Sequence, residues 1–336
     1  MIARFIAELA EGSRVDAVYQ LRAREMRAAR TGDAYLSLEF ADKTGSISGV
    51  LFRPRAQATA IPTGSAVRVR GTVTRFRGSR RISVESMDPA SEWDPADLIG
   101  RGDRPVAELR HELYALVKRV TRPEIKALLR TVFGDASFME RFCALPASNS
   151  AHRAYSGGLL EHTVEVTAMC LDISLKRPEV DRDLLITAAL LHDVGQIDAL
   201  DIGVGVQQTD MGRLVGHEVS GVLRIEAGAR ASGVSGEILM RLQHAVLAHH
   251  YGADGTSVQR PATIEALLLA HVDALDASAA TFLGALRGAQ VIGERWADAD
   301  NRFGRPIYAA DPFGRAQEPH GRSKTGESRH AGLRIA

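Results

Sequence analysis

The chain is poor in cysteine, lacks long uninterrupted apolar runs and has no strong excess of either charge. Cys143 and Cys170 are its two cysteines in 336 residues. Each lies in an apolar helical context without a CxxC or Cys–His spacing, which argues against a disulfide framework or a thiolate zinc site. No stretch approaches the ~20 apolar residues needed to cross a bilayer, so no membrane partner is expected. The opening MIARFIAELAEGSR carries acidic residues and no small-residue cleavage site, and the expectation is a cytoplasmic protein. Hydrophobic residues at 45% and charged residues at 25% are ordinary values, which argue against wholesale disorder or a fibre.

What is present is unevenly distributed. The formal net charge of +1 hides 14 Lys+Arg against 7 Asp+Glu over residues 14–90, and 20 against 25 over residues 107–310. A basic small domain joined to a mildly acidic larger one suits a polyanion-binding module attached to a domain whose carboxylates hold cations. A solvated arginine-rich surface is the plainer alternative, and charge alone does not decide between them.

Residues 14–88 read as five strands, VDAVYQLR, AYLSLEF, SISGVLF, AVRVRGTVTRF and RRISVES. Leu36, Leu38 and Phe40 alternate with Tyr35, Ser37 and Glu39, and Val67, Val69 and Val73 alternate with Arg68, Arg70 and Thr72. A period of two gives each strand one buried and one wet face. Turn residues separate the runs, and five short strands with a glycine in the fourth fit a small closed barrel of OB type. Arg68, Arg70, Arg75, Arg77, Arg80 and Arg81, with Phe76 among them, are candidates for binding a phosphate backbone; Tyr19, Tyr35 and Phe52 are further stacking candidates. Phe40 and Phe52 fit a core role better than an exposed platform.

The fold class is therefore multidomain: an N-terminal all-β OB barrel over residues 1–90, a linker over 91–106, an all-α helical bundle over 107–310, and a polar tail over 311–336 expected to be disordered. Helical segments are read at 107–120, 122–132, 135–143, 157–176, 182–200, 211–229, 235–251 and 261–288. Within them stand His162 in GGLLEHTVEV, His192 and Asp193 in AALLHDVGQ, His217 in GRLVGHEVS, His249 in AVLAHHYG and Asp273 in LLLAHVDALD. A single core histidine usually satisfies a backbone carbonyl. Four such burials with two aspartates would be costly without a cation, so the group reads as a metal site in a bundle core. Imidazole and carboxylate together suit manganese, iron, cobalt, zinc or nickel.

These residues resemble the HD-domain metallophosphohydrolases, and His217 and His249 resemble the branch that holds two metals. PASNSAHRAYSGGLLEHT, LLHDVGQ, GRLVGHE, LQHAVLAHH and DNRFGRPIY together look like the YhaM-type 3'-to-5' exoribonucleases, over Arg14 to Tyr308. The resemblance implies an OB fold joined to an HD domain. It implies that His162, His192, Asp193 and Asp273 hold one divalent ion and that Asp193 bridges to a second held by His217 and His249. Manganese or cobalt is the expected pair, with iron, nickel, zinc and magnesium left open. It further implies hydrolysis of single-stranded RNA, with single-stranded DNA left open, to nucleoside 5'-monophosphates by a dimetal-activated water, with His192, Asp193 and Gln196 in the catalytic group.

Gln196 departs from the lysine common after HD-x-G; it can donate hydrogen bonds but supplies no charge. Charge neutralisation then falls to the metals or to Arg153, Arg213 or Arg302. His152 and His250 are further candidates for substrate contact near the mouth, whereas His244 and His271 read as structural. Two rivals stand beside this reading: a phosphohydrolase acting on a small nucleotide, and a non-catalytic nucleic-acid-binding protein with a structural metal. Physiological metal, RNA or DNA preference and oligomeric state, a homo-oligomer included, stay open in the sequence.

Overall fold

A computed structural model of the chain describes residues 2–3, 5–28, 32–76, 78–148, 153–252, 257–291, 295–297 and 303–308. The expected tail at 311–336 lies outside the described residues, as do His152, Arg77 and Arg302.

Alternating burial builds the first unit. Strands β1 (Arg14–Ala28), β2 (Ala34–Asp42), β3 (Gly45–Phe52), β4 (Ala66–Phe76) and β5 (Ser79–Pro89) pair in the order β1-β2-β3-β5-β4, and β4 returns to β1 to close a barrel. All neighbours are antiparallel except β3 and β5, whose Ser48–Val50 runs parallel to Arg81–Ser83. Closure removes the exposed sheet edge that an open five-stranded sheet would present. The inward residues Leu36, Leu38, Phe40, Val67, Val69, Val73 and Ile82 fill the interior. Tyr19 joins them, fully buried with its ring centroid 6.1 Å from that of Phe40, so this stacking candidate is a core residue. Phe52 is the converse: expected in the core, it is 52% exposed. Gly71 marks the register slip in β4, where a Cβ would stand 2.3 Å from the Ser83 carbonyl oxygen.

The segment expected to be a plain linker has structure of its own. It holds a one-turn helix, Pro95–Leu98, and a two-residue strand, Gly100–Arg101, that pairs with Tyr155–Ser156. Lys43 in the barrel binds Asp97 twice, through its backbone N–H and through Nζ at 2.8 Å.

Among the described residues ten helices follow: α1 (Val106–Arg119), α2 (Pro123–Phe133), α3 (Ala136–Ala144), α4 (Gly158–Lys176), α5 (Arg182–Leu191), α6 (Gln196–Ala199), α7 (Asp210–Leu214), α8 (His217–Ser232), α9 (Gly236–Ala248) and α10 (Ile264–Val291). One continuous apolar core joins all of them but α7, running from Leu109 to Val272. Two segments read as single helices are broken. The 182–200 run stops at Leu191, turns through His192–Gly195 and ends in a hairpin, Leu200–Ile202 with Val206–Gln208. The 211–229 run breaks at Gly216, whose φ of 84° no continuing helix can use. Among the described residues α10 is the one helix long and apolar enough by length and composition to cross a membrane, but acidic residues interrupt its apolar sequence, and it carries Asp273 and Asp276 into the bundle.

Candidate metal centre

Five helices deliver the expected ligands to one place. His162 sits in the second turn of α4, His192 and Asp193 leave the C-terminal end of α5, His217 opens α8, His249 follows α9, and Asp273 lies in the third turn of α10. His162, His192, Asp193, His249 and Asp273 are buried, and the His217 side chain is 13% exposed. Gly195 permits the approach of α8: a Cβ there would stand 2.0 Å from the His217 carbonyl oxygen and 2.4 Å from the Gly221 nitrogen. The glycine of the HD-x-G run is therefore required by close backbone packing beside the site.

The two oxygens of Asp193 face two histidine pairs. Asp193 Oδ2 is 3.5 Å from His192 Nε2 and 3.7 Å from His162 Nε2, while Asp193 Oδ1 is 3.2 Å from His217 Nε2 and 3.7 Å from His249 Nε2. Asp273 Oδ1 completes the first cluster at 3.0 Å from His162 Nε2. Ligands about 2.1 Å from one cation stand about 3.0–3.5 Å apart at right to tetrahedral angles, so the spacing suits a shared ion on either side of Asp193.

Tautomers sharpen that fit. His192 donates from Nδ1 to the Ala189 carbonyl at 2.7 Å, and His249 does the same to Val246 at 2.5 Å. A carbonyl accepts only, so each Nδ1 carries the proton and each neutral Nε2 turns a lone pair inward. Burial favours this neutral form and lowers His192 to about 4. His192 Nε2 nevertheless lies 3.1 Å from His162 Nε2, and His217 Nε2 lies 3.4 Å from His249 Nε2. Asp193 Oδ1 is buried with no hydrogen-bond partner. Converging acceptors and an orphaned carboxylate oxygen require positive charge between them, and that is the demand a divalent cation meets. Burial opposes charge on His162, but Asp273 and Asp276 outweigh it and raise that ring to about 10.

Asp276 is the functional residue that sequence reasoning missed. Its Oδ2 accepts from His162 Nδ1 at 2.7 Å, and its carboxylate is gripped by both Arg153 Nε and an Arg153 terminal nitrogen, at 3.1 and 2.8 Å. Burial opposes its charge, while His162 and Arg153 keep its carboxyl below the usual range. The signal was available, because Asp276 is one helical turn beyond Asp273 and shares its face. Arg153 is correspondingly not a free phosphate contact. Its side chain is 11% exposed and paired with Asp276 and with Glu161, which also accepts from Tyr155 Oη at 2.7 Å. On the other side Glu218 faces His217 Nδ1 at 3.3 Å and His250 Nδ1 at 3.2 Å. Burial pushes Glu218 up, yet the hydrogen bond from His250 and the His217 ring bring it to about 2. His250 also stands close enough to His217 and His249 to share an ion with them, rather than only flanking the mouth.

The remaining candidates lie around this centre or on the barrel. Gln196 is half-buried at the start of α6, its backbone N–H bound to the Asp193 carbonyl. Arg213 is exposed on α7, four residues before His217. His244 accepts from the Ala262 N–H and His271 is exposed, both away from the ligands. On the barrel, Arg68 and Arg70 both reach Asp16, Arg75 reaches Glu11, and Arg80 binds the Leu9 carbonyl. The contacts with Asp16 and Glu11 reduce the net positive charge that the arginines offer a strand. The Arg81 guanidinium lies 4.1 Å from the centroid of the half-exposed Phe76 ring, and Tyr35 pairs with Phe52 at 5.5 Å. Tyr35 and Phe52 lie on β2 and β3, the strands whose face binds oligonucleotides in OB folds.

Comparison with known proteins agrees with this architecture. A model of the HD domain matches residues 159–278, and a model of the OB-fold nucleic acid binding domain matches residues 19–90. The chain is 28% identical over 317 residues to the 3'-5' exoribonuclease YhaM of Geobacillus sp. (strain WCH70), covering 92% of this chain and 97% of that protein. It is 29% identical over 251 residues to the YhaM of Oceanobacillus iheyensis, covering 73% and 78%, and 28% identical over 273 residues to that of Bacillus subtilis (strain 168), covering 79% and 85%.

Proposed function

We infer that this chain, an OB-fold domain joined to an HD domain and alignable with YhaM exoribonucleases over most of its length, is a metal-dependent 3'-to-5' exoribonuclease acting on single-stranded RNA. The observation that carries the inference is Asp193, whose two oxygens each face a pair of inward-turned imidazoles. A structural ion would need one closed set of ligands, whereas a carboxylate shared between two sets suits a pair of ions and hydrolytic chemistry. His162, His192, Asp193 and Asp273 would hold one ion and Asp193, His217 and His249 the other, with manganese or cobalt as our assignment. When bound, such a pair supplies charge neutralisation at the phosphodiester and activation of water.

The chain's own residues do the rest. Carbonyls 189 and 246 fix the tautomers of His192 and His249, Asp276 orients His162, and Glu218 orients His217. Gln196, beside the ligands, offers hydrogen bonds to substrate, and exposed Arg213 offers a cation. Tyr35, Phe52 and Phe76 provide stacking faces on the barrel for a strand whose end enters the helical domain. A small nucleotide would have no use for such a surface, which is why a strand is the preferred substrate.

The test uses single strands of RNA and DNA labelled at either end and incubated with a manganese, cobalt, magnesium and zinc series. The expected result is release of nucleoside 5'-monophosphates from the 3' end of RNA, strongest with manganese or cobalt. Turnover of small cyclic or free nucleotides with intact RNA would contradict it.

A further inference from the structure

Beyond α10 the described chain forms a two-strand hairpin, Trp296–Ala297 with Ile307–Tyr308. Its inner residues, Ala297 and Ile307, are buried against Leu286 and Phe303, and Phe303 packs on Phe282 of α10 with ring centroids 5.6 Å apart. The register places Trp296 opposite Tyr308 on the outer face. Those rings lie 4.9 Å apart, tilted by 56°, and remain 54% and 46% exposed. Outer faces of small hairpins are ordinarily polar, so two large half-exposed rings side by side form an apolar patch without a described partner of its own kind.

The surroundings indicate the ligand. Arg295 donates to Tyr308 Oη at 3.0 Å and its guanidinium lies 5.9 Å from that ring. Arg305 is also exposed on the hairpin, whose sequence carries Asp298 and Asp300 as well. Paired aromatic faces bordered by guanidinium groups match the chemistry of an unstacked base with its phosphates. The hairpin is seated on the helix that carries Asp273 and Asp276. Leu286, beneath it, lies about 15 Å along the helix axis from Asp276, a span of about four stacked nucleotides. Helix α10 also reaches the Ile6–Glu8 turn beside the barrel.

We propose that Trp296 and Tyr308 form a stacking platform for a base of the single strand, several nucleotides from the end held at the metal centre. This rests on the strand-degrading reading above and adds a binding element on the helical domain, distinct from the barrel. A strand long enough to reach the platform gains affinity from it; a dinucleotide does not.

The experiment follows emission from Trp296 in the metal-loaded full chain carrying Trp93→Phe, mixed by stopped flow with oligouridylates of two and ten nucleotides before turnover. Quenching by the ten-mer and none by the dinucleotide is expected. Trp296→Ala and Tyr308→Ala should each raise Kd and KM for the ten-mer by about tenfold while leaving kcat, and KM for the dinucleotide, unchanged. Trp296→Phe, which keeps an aromatic face, should restore most of the affinity. A ten-mer that binds with unchanged emission and unaltered affinity in the alanine variants overturns the proposal. So does a Trp296→Ala protein whose main change is its association state in sedimentation, which would make the patch a contact between copies of the chain. If the unaltered protein neither binds nor degrades the ten-mer, the exoribonuclease reading falls together with this one, an outcome distinct from failure of the platform alone.

Discussion

At the scale of single residues, the centre depends on groups that hold its ligands. Asp276 fixes His162 through Nδ1 and is itself fixed by Arg153. Asp276→Ala should weaken divalent-ion binding about 10–100-fold, read by competition with a chelating dye, because the His162 ring loses its orientation and part of its basicity. Unchanged affinity would make Asp276 a packing residue only. The ligands were legible because histidine and aspartate are rarely buried without cause. Asp276 and Arg153 were harder to read. Spacing puts Asp276 on the face of Asp273 but does not show that it bonds a ligand, and an arginine near a site reads as a phosphate contact until its buried partners are known. Tyr19, a stacking candidate in the sequence, is turned inward by its register in β1.

Elements were legible where the period was clean. The five barrel strands follow alternation of apolar and polar residues, and most helix limits fall near those expected. The breaks at His192–Gly195 and Val215–Gly216 were not legible, since apolar residues continue on either side and tertiary packing at the ligands ends the helices. The frame holding α5 has its own chemistry. Asp183 accepts from the Thr121 N–H, the Thr121 hydroxyl and the Arg122 N–H at 2.7–2.8 Å, tying the turn between α1 and α2 to α5. Burial opposes the Asp183 charge, but these hydrogen bonds lower its pKa below the usual carboxylate value of about 3.9. A depressed folded-state pKa gives stability that is present above the unfolded value and lost as pH falls through the folded one. Asp183→Asn should therefore cost about 1–3 kcal/mol near neutral pH and less at acid pH, measured by urea unfolding across that range. An equal loss at every pH would contradict the assignment.

For the whole molecule, the segment between two ligands is also a contact between domains. The hairpin Leu200–Ile202 with Val206–Gln208 lies between Asp193 and His217 and docks on the barrel. Gln20 Nε2 donates to the Val206 carbonyl at 3.3 Å, and Gln207 Nε2 donates to the Gly64 carbonyl at 3.2 Å. No pattern in the sequence announces this docking, because it depends on two glutamines and two backbone carbonyls meeting from distant positions. If the barrel guides a strand, KM for a long RNA should rise with salt, and Arg75→Glu with Arg81→Glu should raise KM further and flatten that dependence by about one to two units of log–log slope. Turnover of a dinucleotide should be unaffected. A long-strand KM insensitive to both changes would remove the barrel from the substrate path.

The most direct test is the divalent metal content of the purified chain, measured by mass spectrometry beside Asp193→Ala. The account predicts about two equivalents per chain, both lost along with RNA hydrolysis when Asp193 is replaced, since that one carboxylate faces both histidine pairs. An unaltered protein that degrades RNA without taking up divalent ions, or an Asp193→Ala protein that keeps its metal and its activity, would contradict it.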